Sequence, residues 1–347
     1  MRLENDVEFV PSDLPASLLD GKPLLSLINV SEGLRLRVRN DTLEREEEVN
    51  KMFVVVRNVK SMPKGEDIPR FSGEYCINKG DVIKMGRLKF LVRDFRSPSA
   101  QAYADSDTHC SPVKKNLLAC ENEEEPAQEE EVEIECGIAN DSQIQCKICW
   151  SDEQSLENPL LCSCKCDGSV RYIHFACLKH WLKQKMTLKE EPACISYTWK
   201  QFECEICKTP YPYVFKTQGR KYRLVEVAIP EQDNFLWLES LTFEKNSSRM
   251  VHIIKPQAGG KQEFKMGRGH ESDLRVNDIS VSRCHAIIKY DSENTHKFYL
   301  EDNLSKFGTL VLSSSGQVDL EVDQTKAIQI GRSVISFTVK ELRREEK

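Results

Sequence analysis

The chain has 347 residues, 39% hydrophobic and 30% charged, the balance of a soluble globular protein of two or three domains with room for disordered stretches. Its formal net charge is −6, but nine glutamates between Glu121 and Glu135 carry −9, so the rest sums to about +3; that excludes a strongly basic nucleic-acid footprint, and no nucleic-acid partner is expected. No apolar run approaches the roughly 18–20 residues of a membrane span. Fourteen cysteines without a charged-then-apolar leader point to metal or free thiols in an intracellular protein, cytoplasmic or nuclear and not secreted.

In chain order, residues 1–97 are rich in alternating or β-branched runs. Leu34-Arg35-Leu36-Arg37-Val38 alternates at period two, and 51–56 and 82–92 are strand-like, so a β-rich N-terminal domain is expected. Residues 98–143 carry Ser97-Pro98, Ser111-Pro112 and the glutamate run, with little apolar periodicity, and read as a disordered acidic linker. Residues 144–212 hold most of the cysteines. Within them Leu178, Trp181, Leu182 and Met186 follow helical spacing and predict an amphipathic helix. A connector covers 213–232. Residues 233–341 return to β patterning, with candidate strands at 236–243, 250–254, 263–266, 285–290, 298–301, 309–312, 327–330 and 334–339, the spacing of a sandwich. Residues 342–347 form a charged tail. The fold class is therefore mainly β, with a small zinc-stabilised α+β module in the middle. One internal echo stands out: 82–92 and 327–339 both read as apolar-alternating strands broken by Gly-Arg. Either two hairpins look alike by chance, or residues 1–97 are a degenerate copy of the C-terminal sandwich.

The cysteines fall in pairs. Cys146-x2-Cys149 is followed by Cys164-x-Cys166, then His174-x2-Cys177, then Cys204-x2-Cys207. A structural zinc takes four tetrahedral Cys/His ligands and leaves no open position, so seven thiolates and one imidazole predict two zinc ions. Cys162 is a substitute candidate two residues before Cys164. Cys194 reads as a buried or surface thiol, and His180 as a solvated helix residue.

The order of pairs resembles the RING family, in its RING-CH (RINGv) variant. The resemblance rests on Cys-Lys-Cys-Asp-Gly-Ser at 164–169, Tyr172-Ile-His174, Ala176-Cys177-Leu178-x2-Trp181 and Cys204-Glu-Ile-Cys207-x2-Pro210-Tyr211. A plant homeodomain finger shares the ligand order, but usually has Trp where Phe202 stands. The resemblance implies a cross-brace, with Cys146, Cys149, His174 and Cys177 on one zinc and Cys164, Cys166, Cys204 and Cys207 on the other. It also implies a ubiquitin ligase that acts by positioning, without a covalent intermediate and with no catalytic side chain of its own. The matching contacts for a ubiquitin-conjugating enzyme are Ile148, Trp181 and Pro210, forming a shallow apolar groove. Lys208 stands where many active members place Arg; it keeps the charge and loses the planar fork.

Further on come Met266-Gly267-Arg268, Ser282-Arg283-Cys284-His285 and Asp302-Asn303-Leu304-Ser305-Lys306-Phe307-Gly308-Thr309. Together they resemble the forkhead-associated (FHA) domain, a sandwich that binds phosphothreonine, whose charge of about −2 and three acceptor oxygens suit forked cationic donors. The resemblance implies that Arg268, Ser282, Arg283 and Lys306 face the phosphopeptide, and that His285 braces the loop from inside. Gly267 and Gly308 suit tight turns. Phe307 replaces the family's usual Asn and cannot donate a hydrogen bond to peptide. Gly86-Arg87 has no Ser-x-x-His after it, so no phosphopeptide site is expected in the N-terminal segment. The expected function is a zinc-dependent RING-type ligase that recruits a ubiquitin-conjugating enzyme and phosphothreonine-containing partners; the alternative is a non-catalytic zinc-finger/FHA phosphoprotein adaptor.

Overall fold

The computed structural model describes residues 25–30, 33–38, 52–56, 74–97, 132–133, 144–217, 219–230, 234–241, 248–257, 259–320, 322 and 325–340. The expected acidic linker (98–143) and charged tail (342–347) lie almost wholly outside them. The chain divides into two compact units, one from residues 1–100, 236–241 and 256–347, the other from 101–235 and 242–255.

The N-terminal strands are β1 (Leu25–Val30), β2 (Gly33–Val38), β3 (Met52–Val56), β4 (Glu74–Cys76), β5 (Val82–Met85) and β6 (Leu88–Arg96). The cysteine region follows β7 (Val132–Glu133) with β8 (Leu160–Leu161), β9 (Ile173–His174), helix α1 (Phe175–Gln184), β10 (Thr187–Glu191), β11 (Cys194–Trp199), β12 (Val214–Thr217) and β13 (Arg220–Arg223). The remainder is all strand: β14 (Phe235–Ser240), β15 (Arg249–Ile254), β16 (Glu263–Gly267), β17 (Leu274–Arg275), β18 (Ala286–Tyr290), β19 (Phe298–Asp302), β20 (Thr309–Leu312), β21 (Gln317–Leu320), β22 (Thr325–Ile330) and β23 (Ser333–Thr338).

In the first unit one sheet runs β14-β6-β5-β20-β3-β22-β23, a second runs β17-β16-β18-β19-β4, and a third joins β1, β2 and β21. Side chains at alternate positions enter the core, as period-two patterns require: Ile83 and Met85 on β5, Phe90 and Val92 on β6, Phe264 and Met266 on β16. Phe95 meets Phe298 edge-on, ring centres 6.3 Å apart. A second cluster gathers Leu36, Met52, Val54, Val318, Leu320, Ile328 and Ile330.

The N-terminal strands are thus woven into the C-terminal ones. β3 and β5 flank β20, β4 pairs with β19, and β2 pairs with β21. The sequence set 1–97 apart as its own β-rich domain. The strands are instead distributed over shared sheets, since β19 and β20 would otherwise leave open ladders. The echo also resolves. Residues 82–92 and 327–338 are both two-residue hairpins turning on Gly-Arg, with Gly86 at φ 58° and Gly331 at φ 57°, the positive φ that such turns need at their first position. Both belong to one sheet, and the described residues contain no second sandwich.

In the second unit, α1 buries Leu178 and Leu182, one turn apart, and directly follows the β8–β9 ladder. It ends at Gln184, and β10 begins at Thr187, close to the expected helix. β10 and β11 form a hairpin, and β11 pairs with β15 from Cys194↔Ile254 to Trp199↔Arg249. Sequence reasoning assigned no element to 187–199 and placed 250–254 in the C-terminal sandwich. The cause is plain: Thr187-Leu-Lys-Glu-Glu191 is solvated, and β11 is buried without alternation. Phe215 and Lys216 of β12 pair in parallel with Val132 and Glu133. Trp199 stacks on Phe202, Phe202 meets Tyr213 at a tilt of 51°, and Arg249 lies 4.5 Å over the Tyr213 ring. Among the described residues, no helix is long and apolar enough to cross a membrane.

Candidate metal centre and phosphate-binding loops

Eight side chains converge in two groups, Cys146, Cys149, His174 and Cys177 in one, Cys164, Cys166, Cys204 and Cys207 in the other, with the ligand atoms of each group within 4.8 Å of one another. A tetrahedral zinc with Zn–S near 2.3 Å sets its sulfurs about 3.8 Å apart; Cys166 and Cys204 Sγ are 3.6 Å apart. The donor sets and their spacing fit two zinc ions. Cys162, half-buried, belongs to neither group.

The first and last cysteine pairs are built alike. Trp150 and Lys208, each directly after the second cysteine, adopt left-handed backbone at φ 61° and 58°. Their amides return to the Cys146 and Cys204 carbonyls at 2.8 and 2.9 Å. The turn aims backbone N–H groups at sulfur: Ile148 N and His174 N each lie 3.4 Å from Cys146 Sγ. Burial raises the Cys146 thiol, but the amides of Cys149, His174 and Ile148 outweigh it and bring it to about 6. Cys207 is also drawn down to about 6, mainly by the Thr209 hydroxyl 3.3 Å away. Burial pushes Cys164 and Cys177 up to about 12. His174 turns Nδ1 toward Cys149 Sγ at 3.2 Å and donates Nε2–H to the Glu153 carbonyl at 2.6 Å. That outer bond fixes the tautomer with a lone pair on the metal side.

Between the two groups lies a groove of about 600 Å³. Ile148, Trp181, Ile206 and Tyr211 line it, together with Cys177 and Cys204, one ligand from each group. Trp181 packs edge-on to Tyr211, ring centres 6.3 Å apart, and Lys185 Nζ sits 4.0 Å over its ring. Of the four expected enzyme contacts, Ile148 and Trp181 line this groove; Pro210 and Lys208 do not. Both are exposed, and Lys208 Nζ lies 3.9 Å from the Glu203 carboxylate. Sequence reasoning did not single out Ile206. The signal existed, because Cys204-Glu-Ile-Cys207 repeats Cys146-Lys-Ile-Cys149 and puts both isoleucines at one position of one turn.

In the other unit Arg268, Ser282, Arg283 and Lys306 sit on three loops that close on one another. Arg268 N donates to the Ser282 carbonyl at 3.1 Å, and Lys306 N donates to Ser282 Oγ at 3.1 Å. Ser282 Oγ therefore keeps its own proton to give. The three cationic residues are exposed. His285 is fully buried and burial lowers its pKa, so it is neutral. Its Nδ1 accepts from Ser282 N and its Nε2 donates to the Gly308 carbonyl, each at 3.1 Å. It braces two loops from inside, as expected. Gly308 has the positive φ of a turn, 78°. Gly267 is required for another reason, because a Cβ there would stand 2.1 Å from the Arg283 carbonyl oxygen. Buried Asp302, not singled out from the sequence, accepts from the Ser305 amide and hydroxyl and from the Thr309 hydroxyl, fixing the third loop.

Residues 146–207 match the RING-variant domain, and residues 264–331 match the FHA domain. The chain carries both modules. The chain is 33% identical over 116 residues to the ERAD-associated E3 ubiquitin-protein ligase DOA10 of Saccharomyces cerevisiae, covering 33% of this chain and 7% of that protein. It is 40% identical over 63 residues to the probable E3 ubiquitin-protein ligase MARCHF10 of Homo sapiens, 18% of this chain and 7% of that one. To the human E3 ubiquitin-protein ligase MARCHF8 it is 33% identical over 86 residues, 25% of this chain and 24% of that one. The chain thus spans at most about a quarter of the length of these three relatives.

Proposed function

We propose that this chain is a zinc-dependent RING-type ubiquitin ligase that receives a charged ubiquitin-conjugating enzyme on its finger and phosphothreonine-containing proteins on its FHA loops. The groove of Ile148, Trp181, Ile206 and Tyr211 carries the reading, because it is largely apolar, accessible and lined by one ligand of each metal cluster, Cys177 and Cys204. Zinc supplies the fold of the finger. The cluster cysteines are committed as ligands, so the finger orients the enzyme's thioester rather than attacking it. Pro210 and Lys208 extend the contact beyond the groove. On the other unit the Arg268 fork, the Ser282 hydroxyl and the Lys306 cation take the phosphate, and Arg283 takes peptide backbone. An intracellular compartment, cytoplasmic or nuclear, belongs to the same proposal, since thiolate ligands persist where cysteines are kept reduced.

The test is autoubiquitination by the full chain with a panel of conjugating enzymes, beside Ile148→Ala and Trp181→Ala. Transfer that both variants abolish supports the reading. No transfer above them with any enzyme overturns it. One observation favours a second reading, a non-catalytic adaptor: Lys208, which replaces the usual Arg, faces Glu203. Phosphothreonine binding by the full chain without any ubiquitin transfer would select it.

A further inference from the structure

Arg87 stands outside the segment matched by the FHA domain, on the β5–β6 turn. Two observations bring that turn to the phosphate-binding loops. The first is register: Met85 pairs with Thr309, so the Gly86-Arg87 turn starts where the Lys306-Phe307-Gly308 loop ends. The second is contact. Arg87 N donates to Ser280 Oγ at 3.0 Å, and Ser280 is two residues before Ser282. The approach is close enough that a Cβ on Gly86 would lie 2.3 Å from Ser280 Oγ and 2.8 Å from its carbonyl oxygen. Ser280 in turn is fixed by Asp278, whose Oδ1 accepts from its amide at 2.7 Å and its hydroxyl at 2.6 Å. The Asp278 carboxyl is raised by burial, but the Ser280 hydrogen bonds and the Arg87 charge together hold it below its ordinary value. Arg87 itself is exposed. The turn is therefore a fourth loop of the phosphate-binding face, lent by the N-terminal segment and seated against two of the other three.

We propose that Arg87 is a specificity-determining residue of this face, selecting phosphothreonine peptides that carry a second negative charge, acidic or phosphorylated, beside the phosphothreonine. This rests on the phosphothreonine reading of Arg268 and Ser282. Those residues take the phosphate itself, and Arg87 adds one more cation on the rim. Such an exposed pair contributes a few-fold in affinity and is screened by salt.

The experiment titrates the full chain with a degenerate phosphothreonine peptide library and with sub-libraries fixed to Asp at each flanking position. Wild type, Arg87→Ala, Arg87→Lys and Arg268→Ala are compared at low and high salt. The expected result is that one Asp sub-library binds about three-fold tighter than the parent at low salt. Arg87→Ala should erase that preference, so that the Asp sub-library binds no tighter than the parent library does. Arg87→Lys should keep most of it, and Arg268→Ala should lose all phosphate-dependent binding. Phosphate-dependent binding with no Asp preference, or a preference unchanged in Arg87→Ala, overturns this proposal and leaves the phosphothreonine reading standing. Absence of phosphate-dependent binding in the wild type overturns both.

Discussion

Replacing one ligand of either cysteine group unfolds the whole finger, whereas replacing Cys162 does not. The two groups alternate along the chain, with His174 and Cys177 at the head of α1 falling between Cys166 and Cys204. One group holds the start of the helix, and the other ties together the loop before it and the turn after β11. A structural zinc of this kind contributes on the order of 10 kcal/mol. The whole net stability of a domain is roughly 5–15 kcal/mol, so losing even a third of one site, about 3 kcal/mol, is severe. Cys164→Ser should therefore drop the zinc content of the finger well below one ion per chain instead of stopping at one. Cys162→Ser should keep two, because Cys162 lies in neither group although its spacing makes it a candidate. Elemental analysis after dialysis gives the stoichiometry, a chromophoric chelator titration gives the affinity, and near-ultraviolet circular dichroism reports the packing of Trp181 on Tyr211. Equal metal loss from Cys162→Ser would refute the ligand assignment. A Cys164→Ser finger that keeps one tight ion and native dichroism would refute the coupling.

Three further predictions concern other places. Gly267→Ala puts a methyl 2.1 Å from the Arg283 carbonyl oxygen and should cost about 2 kcal/mol and abolish phosphopeptide binding. Gly308→Ala meets nothing within 4 Å and should cost only about 1 kcal/mol, for its positive φ; thermal melts with equal shifts would refute the distinction. Asp302→Asn exchanges an acceptor for a donor in front of two hydroxyls and should destabilise the unit by about 1–3 kcal/mol in urea titration; an unchanged midpoint would count against the network. His252 is wholly buried against Ser196, and burial lowers its pKa to about 4. The unfolded chain, near 6.5, takes up that proton first, so the contribution is complete above pH 6.5 and falls as pH drops toward 4, by up to about 3 kcal/mol. On zinc-loaded protein, His252→Gln should flatten the stability-against-pH curve over that window, and parallel curves for the two proteins would refute it.

The parts legible in the sequence are those where chemistry needs fixed spacing. Zinc demands four donors within a few ångströms, so the cysteine pairs declare themselves before any fold is known, and Ile148 and Trp181 came from the RING-CH resemblance that those pairs carry. His285 was legible through the resemblance of Ser282-Arg283-Cys284-His285 to the FHA domain, which implies a histidine bracing the loop, and its ring bonds Ser282 N and the Gly308 carbonyl. What escaped depends on pairing between distant strands. Period two says that 52–56 and 82–92 are strands, but it is silent on whether β20 lies between them. Arg87 was set aside because no Ser-x-x-His follows it in sequence. In the sheet its partner loop comes from Ser280, 193 residues further along. The same separation explains the echo. Two Gly-Arg hairpins of similar sequence fill equivalent sheet positions, β5–β6 beside β20 and β22–β23 beside β3, and the first is pressed by Gly86 against Ser280, two residues before Ser282. The FHA match over residues 264–331 therefore leaves out the Gly86-Arg87 turn, which strand pairing sets beside the end of the Lys306-Phe307-Gly308 loop.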